Sequence, residues 1–218
     1  MALVSGAGRR INPALAANDE TATDCGYFAG KGLQMTTTSG ARYSHVAMIL
    51  HWVIAIAVIV NWRLAEGAHG LEGAAKSAAL APHKALGITI LALSVLRLAW
   101  RLLHAPPPLA SSLAPWERIL ARTTHALFYV LLIGLPLGGW LASSYASLPI
   151  DYFGLFSIPA LPVAQDYAMA KTVIGLHHEG GEIMLLLIAL HTLAALKHQF
   201  FDKDGNLSRM LPWGTPKG

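Results

Sequence analysis

Four long apolar runs, residues 46–62, 85–103, 124–143 and 173–201, dominate a chain that is otherwise broken by glycine, proline and charge. Each can supply the roughly 20 residues of a bilayer-spanning helix, the first and last by including polar or histidine-bearing ends. Inside a bilayer such a run is helical, because a helix satisfies its own backbone donors and acceptors. The pattern predicts helices over about 43–64 and 82–103, a third entered through Trp116, Arg118 and Arg122, and a fourth ending near 201. Pro106, Pro107 and Pro108 stop the second helix, since proline fixes φ and lacks a donor. Pro136 lies within the third, where Gly134 and Gly138 make a small-xxx-small face suited to close packing.

The connection 65–81 is short and mildly polar. The longer connection 144–171 carries Tyr145, Tyr152, Phe153, Phe156, Pro159 and Pro162, which fit either an ordered lid on the membrane surface or a plain connector. Residues 202–218 read as a short basic tail. At the other end, residues 1–40 are rich in Gly, Ala and Thr, lack sustained periodicity and are expected to be disordered. No apolar segment of signal-peptide type follows Arg9 and Arg10, and Met35 offers an alternative translation start. The organisation expected is a disordered extension over 1–40, one four-helix membrane domain over 41–213 and a C-terminal tail over 214–218.

Composition supports this. Hydrophobic residues make up 54% of the 218 and charged residues only 13%, about half the roughly 25% of soluble domains. The net charge of +4 matters through its distribution. If the helices alternate, Arg42, Arg97, Arg101, Arg118, Arg122, Lys197, Lys203 and Arg209 fall on one side and Arg63, Lys76, Lys84 and Lys171 on the other. Positive charge favours the cytoplasmic side, which puts both termini there and explains the basic bias without nucleic acid. Cys25 is the only cysteine, so an internal disulfide, covalent haem attachment through CxxCH and a multi-thiolate iron–sulfur cluster are all excluded.

Histidines inside the apolar runs carry the chemistry. Ionisable groups at membrane depth are costly and by default functional. His177 and His191 are fourteen residues apart, so at about 100° per residue they look out of nearly one helix face, roughly 21 Å apart. Depth pairs His51 of the first helix with His191, and pairs His83, opening the second, with His177, opening the fourth. His178 is rotated by about 140° from His191 and fits water or a propionate better. His125 enters the third helix near the depth of His51 and stays open as its rival, or as a pocket or propionate contact. His198, two turns beyond His191 and on nearly the same face, reads as a solvent-facing residue or as a quinone or proton-handling contact. His45, His69 and His104 sit at helix ends or in loops. Two stacked imidazole pairs suit two b-type haems, each iron between two axial ligands. A zinc or nickel transporter would place carboxylates beside its histidines, and Asp and Glu are absent from these helix cores.

The residues also form a familiar set. Leu50, His51 and Trp52 resemble the first-helix motif of the bacterial cytochrome b561 family, and the run from His83 through Gly87 to Arg97 resembles its second helix. His125 with Tyr129 is similar to the third-helix pattern. His177, Leu190, His191, His198, Asp204 and the ending Leu207, Ser208, Arg209, Met210, Leu211, Pro212 are similar to the fourth. The resemblance covers about residues 41–213 and departs at His178, where the family often carries an acid that is here displaced to Glu179. It implies an all-α bundle of four transmembrane helices in the bacterial inner membrane. It also implies two non-covalent haems b held by His51 with His191 and His83 with His177, and exchange with quinone near His198. The branch resembled is that of superoxide oxidases passing electrons to ubiquinone, which makes the chain a superoxide:quinone oxidoreductase. Superoxide rests on resemblance alone, because Glu66, Glu72, Asp151, Asp166, Glu179 and Glu182 offset the cations of the outer loops. The alternative is a membrane electron-transfer subunit for a dehydrogenase or hydrogenase-type partner.

Overall fold

A computed structural model describes residues 42–109, 113–211 and 213. The expected disordered extension, with Cys25 and Met35, and the tail 214–218 lie outside the described residues.

Four helices form the body: α1 (His45–Glu66), α2 (Gly73–Leu103), α3 (Pro115–Tyr145) and α4 (Tyr167–Lys197). All four are long and apolar enough to cross a membrane. Local chemistry sets their starts. The Ser44 hydroxyl accepts from the Ala47 N–H at 3.3 Å, and the Asp166 carboxylate accepts from the Met169 N–H at 2.9 Å, each capping a first turn. Pro115 opens α3, where a missing N–H costs nothing, and the Glu117 carboxylate reaches back to the Ala114 N–H at 3.0 Å.

Helices α2 and α4 begin earlier than the apolar pattern predicts. Residues 74–81 are mostly alanine, the best helix former, so α2 extends back to Gly73 with Pro82 inside it. Hydropathy marks where a helix becomes apolar, not where it starts. Trp116, Arg118 and Arg122 likewise lie in the first turns of α3.

Helix α1 packs on α2, α2 on α3 and α3 on α4, whereas α1 and α4 hardly touch. The directions alternate. Late in α1, the Asn61 carbonyl meets His83 early in α2; early in α1, the Ala47 carbonyl meets Arg97 late in α2. The bundle thus has a terminal end, where α1 starts and α4 stops, and a hairpin end. Its apolar residues face outward, with Ile56 63%, Val130 66% and Leu186 61% exposed, while Ser94 is fully buried. That inversion is expected where lipid is the solvent.

The connection after α3 is an ordered hairpin of β1 (Ile150–Tyr152) and β2 (Phe156–Ile158), a small addition to the all-α expectation. Its turn puts Phe153 at φ +54° and Gly154 at +72°, and the Asp151 carboxylate accepts from the Gly154 N–H at 2.9 Å. Ile150 is buried. The Tyr152 hydroxyl lies 3.0 Å from Thr89 Oγ1, Trp140 Nε1 donates to the Pro159 carbonyl at 3.1 Å, and the Leu161 N–H donates to Ser144 Oγ at 2.9 Å. The hairpin is clamped to α2 and α3.

Residues 202–211, expected as the start of a tail, are built in. After α4 a π-helical turn covers His198–Asp202, and a 3₁₀ turn covers Ser208–Met210. The Met210 carbonyl accepts from Trp52 Nε1 at 2.9 Å, and buried Arg209 donates to the Pro108 carbonyl at 2.8 Å.

Candidate cofactor site

Two clusters of imidazoles lie at two levels of the bundle. At the hairpin end, the His83 and His177 ring centroids are 6.0 Å apart and nearly perpendicular. At the terminal end, His191 lies 6.4 Å from His51 and 6.0 Å from His125, with the Phe128 ring 5.3 Å away. With a metal–nitrogen bond of about 2.0–2.1 Å and about 1.1 Å from nitrogen to ring centre, two imidazoles on opposite sides of one ion put their centroids roughly 6.3 Å apart. Both levels match that spacing.

At the hairpin end the orientation is also specified. His83 Nδ1 lies 3.0 Å from the Asn61 carbonyl and His177 Nδ1 lies 2.9 Å from the Leu135 carbonyl. A carbonyl only accepts, so each Nδ1 carries the proton and donates, leaving each Nε2 with a free lone pair. This is the arrangement in which ligating histidines are held by a partner on the other nitrogen. Gly139 completes it: a Cβ there would stand 3.3 Å from His177 Cε1, so the ring fits because the glycine has no side chain. Gly180 is crowded likewise, its would-be Cβ only 2.6 Å from a Leu135 methyl. Gly134 and Gly138, expected to form the close-packing face, would meet nothing within 4 Å. Crowding around the site falls on different glycines from the ones that the spacing singled out.

His83 and His177 do not open their helices. They lie well inside, because α2 starts at Gly73 and α4 at Tyr167. His178 is exposed. His198 begins the π-helical turn, its Nδ1 2.9 Å from the Asp202 carboxylate and 2.8 Å from that of Asp204. Glu117, His198 and Asp202 could geometrically surround an ion, but Lys197 Nζ already bridges Glu117 at 3.0 Å and Asp202 at 2.8 Å. That group is an ion-pair network.

Sequence reasoning missed Asn61, Leu135 and Gly139. The first two act through backbone carbonyls, which leave no trace in residue type. Gly139 was visible only as one more small residue beside Gly138.

Over residues 42–213 the chain matches the family described as prokaryotic cytochrome b561. The chain belongs to that family. It is 34% identical over 177 residues to cytochrome b561 homolog 2 of Escherichia coli (strain K12), covering 80% of this chain and 94% of that one. It is also 30% identical over 178 residues to the probable superoxide oxidase CybB of Yersinia pestis (78% and 96% covered). Cytochrome b561 homolog 1 of Escherichia coli (strain K12) is 26% identical over 174 residues, with 78% and 97% covered. The cytochrome b561 family binds b-type haem and serves membrane electron transfer. This chain is accordingly a bacterial four-helix membrane protein of that kind. Half-buried imidazoles at metal-ligand spacing, without carboxylates between them, are a donor set that fits a porphyrin iron.

Proposed function

We propose that this protein is a di-haem b cytochrome that carries single electrons from a donor to membrane quinone. His83 and His177 hold one haem; His51 and His191 hold the other. One observation carries the reading: imidazole pairs at iron-ligand spacing recur at two levels, sharing α4 through residues fourteen apart. A haem held by His51 with His191, or by His83 with His177, would supply reversible one-electron exchange. The Asn61 and Leu135 carbonyls set the tautomer and ring orientation of His83 and His177 and make their Nε2 atoms better donors.

The basic bias of the terminal end supports both termini lying in the cytoplasm. The name of the Yersinia pestis relative supports superoxide as the donor, and the family resemblance supports ubiquinone as the acceptor. The His198 ring, its Nδ1 2.9 Å from the Asp202 carboxylate and 2.8 Å from that of Asp204, supports a polar contact to quinone at that end.

The decisive experiment is reduced-minus-oxidised spectroscopy with haem quantification on purified protein. About two haems b per chain are expected, and colourless protein from cells with ample haem overturns the reading. Stopped-flow mixing with superoxide and ubiquinone then tests the substrates. Quinone-dependent loss of superoxide is expected. Its absence from protein holding both haems favours the electron-transfer subunit of a dehydrogenase or hydrogenase-type complex.

A further inference from the structure

The two imidazole levels sit in different electrostatic surroundings. At the terminal end Arg42, Arg97 and Arg101 line a cavity of about 460 Å³ between α1 and α2, with Tyr129 of α3 on one side. No carboxylate lines it among the described residues. Arg97 is half-buried, and its Nη1 donates at 2.5 Å to the Ala47 carbonyl. That carbonyl lies one helical turn before His51 and is the one the His51 backbone N–H meets in the helix. Arg101 lies over the Tyr129 ring at 6.0 Å, and Tyr129 is one turn from His125. At the hairpin end Lys84 follows His83, while Glu179 and Glu182 follow His177, so both signs of charge occur there. Hydrogen bonding differs too. His83 and His177 donate through Nδ1 to the Asn61 and Leu135 carbonyls, and no such bond is made by His51, His125 or His191 among the described residues.

We infer that Arg97, seconded by Arg101, makes the terminal-end haem the more easily reduced of the two. This rests on the function proposed above and adds a direction to it. Reduction takes one positive charge away from a haem iron, so guanidinium charge held beside the His51 turn favours the reduced state. Half-buried surroundings are less polar than water, which strengthens that interaction. The Nδ1 bonds at the hairpin end act in the same sense. They make the Nε2 atoms of His83 and His177 better donors, and a more basic ligand favours the oxidised metal. Nearby charge and hydrogen bonds to the ligands are levers by which a protein sets a redox potential, and here both point one way. The result is a downhill slope toward the terminal end, where the quinone contact is proposed. With that end in the cytoplasm, the transmembrane potential opposes an electron moving inward, and the slope offsets this opposition.

The test is an optical redox titration of the full chain in nanodiscs, with haem content measured in parallel. Wild type should titrate in two steps. His83→Ala, which leaves the terminal-end haem alone, should keep the upper step, and His51→Ala the lower. Arg97→Gln should lower the upper step by about a tenfold change in the oxidised-to-reduced ratio, about 59 mV for one electron. The lower step and the haem content should stay as in wild type. Arg97→Lys keeps the charge and should restore most of the shift. Because Arg97→Gln also loses the bond to α1, Arg101→Gln, which has no such bond, keeps the test valid if that variant fails to fold. It should move the upper step the same way by a smaller amount. Wild type without two haems overturns the underlying function. Two haems with equal potentials, or with the hairpin-end haem the higher, overturn the assigned slope alone. An upper step that neither glutamine variant moves, or that Arg97→Lys and Arg97→Gln move equally, makes Arg97 a packing residue and overturns the proposal.

Discussion

The two imidazole clusters have the same spacing but are built differently. At the hairpin end His83 and His177 each have Nδ1 tied to a helix carbonyl and one is wedged against a glycine. The third ring there, His178, lies 6.1 Å from His177 and is exposed. At the terminal end three rings crowd together. Among the described residues, none of His51, His125 and His191 has a hydrogen bond to orient it. The first cluster is specified by backbone, which substitution cannot easily remove; the second depends on side-chain packing, including Phe128 against His191. A ligand pair held by backbone should tolerate changes around it and fail when a ring is lost. A cluster with a spare ring should respond differently to each of its members.

The largest effect expected is loss of a whole cofactor. His83→Ala and His177→Ala should each cut haem content from about two to about one per chain by pyridine haemochromogen assay. Full retention in either would remove the hairpin-end pair from the account. Sharpening the other side, His51→Ala should lose one haem while His125→Ala keeps both with a shifted reduced-minus-oxidised spectrum. The opposite result makes His125 the ligand. Next in size is Gly139→Ala, whose methyl meets the His177 ring. Overpacking of this kind costs about 1–3 kcal/mol, expected as a lower Tm and a disturbed spectrum for one haem. Gly138→Ala, with open space beside it, should leave both unchanged. The smallest effect is Tyr152→Phe, which removes the hydroxyl contact to Thr89. A loss of about 0.5–1.5 kcal/mol with haem content intact is expected, and loss of a haem would mean that the hairpin does more than brace α2.

Much of this molecule was legible beforehand. The four spans followed from apolar runs, because a bilayer demands about 20 apolar residues and backbone satisfied internally. The relation between His177 and His191 followed from helical rotation alone. Helix starts were less legible, since an alanine-rich stretch such as 74–81 is helical without being strongly apolar, and so His83 came out deeper in its helix than expected. The lid over 144–171 was undecided until the hairpin register appeared, because three-residue strands are too short for alternation to show.

The sequence by itself determined the number of spans, the exclusion of cysteine chemistry and the two levels at which imidazoles occur, all of which depend on residue type and spacing along one helix. Only the tertiary structure decided which rings meet. That depends on how far each helix is rotated about its own axis, and rotation is set by packing against neighbours. The same holds for Asn61 and Leu135, whose carbonyls any residue would carry, and for the arginine-lined cavity, whose walls come from three helices separated in sequence. Orientation across space is the one quantity that spacing along a chain does not contain.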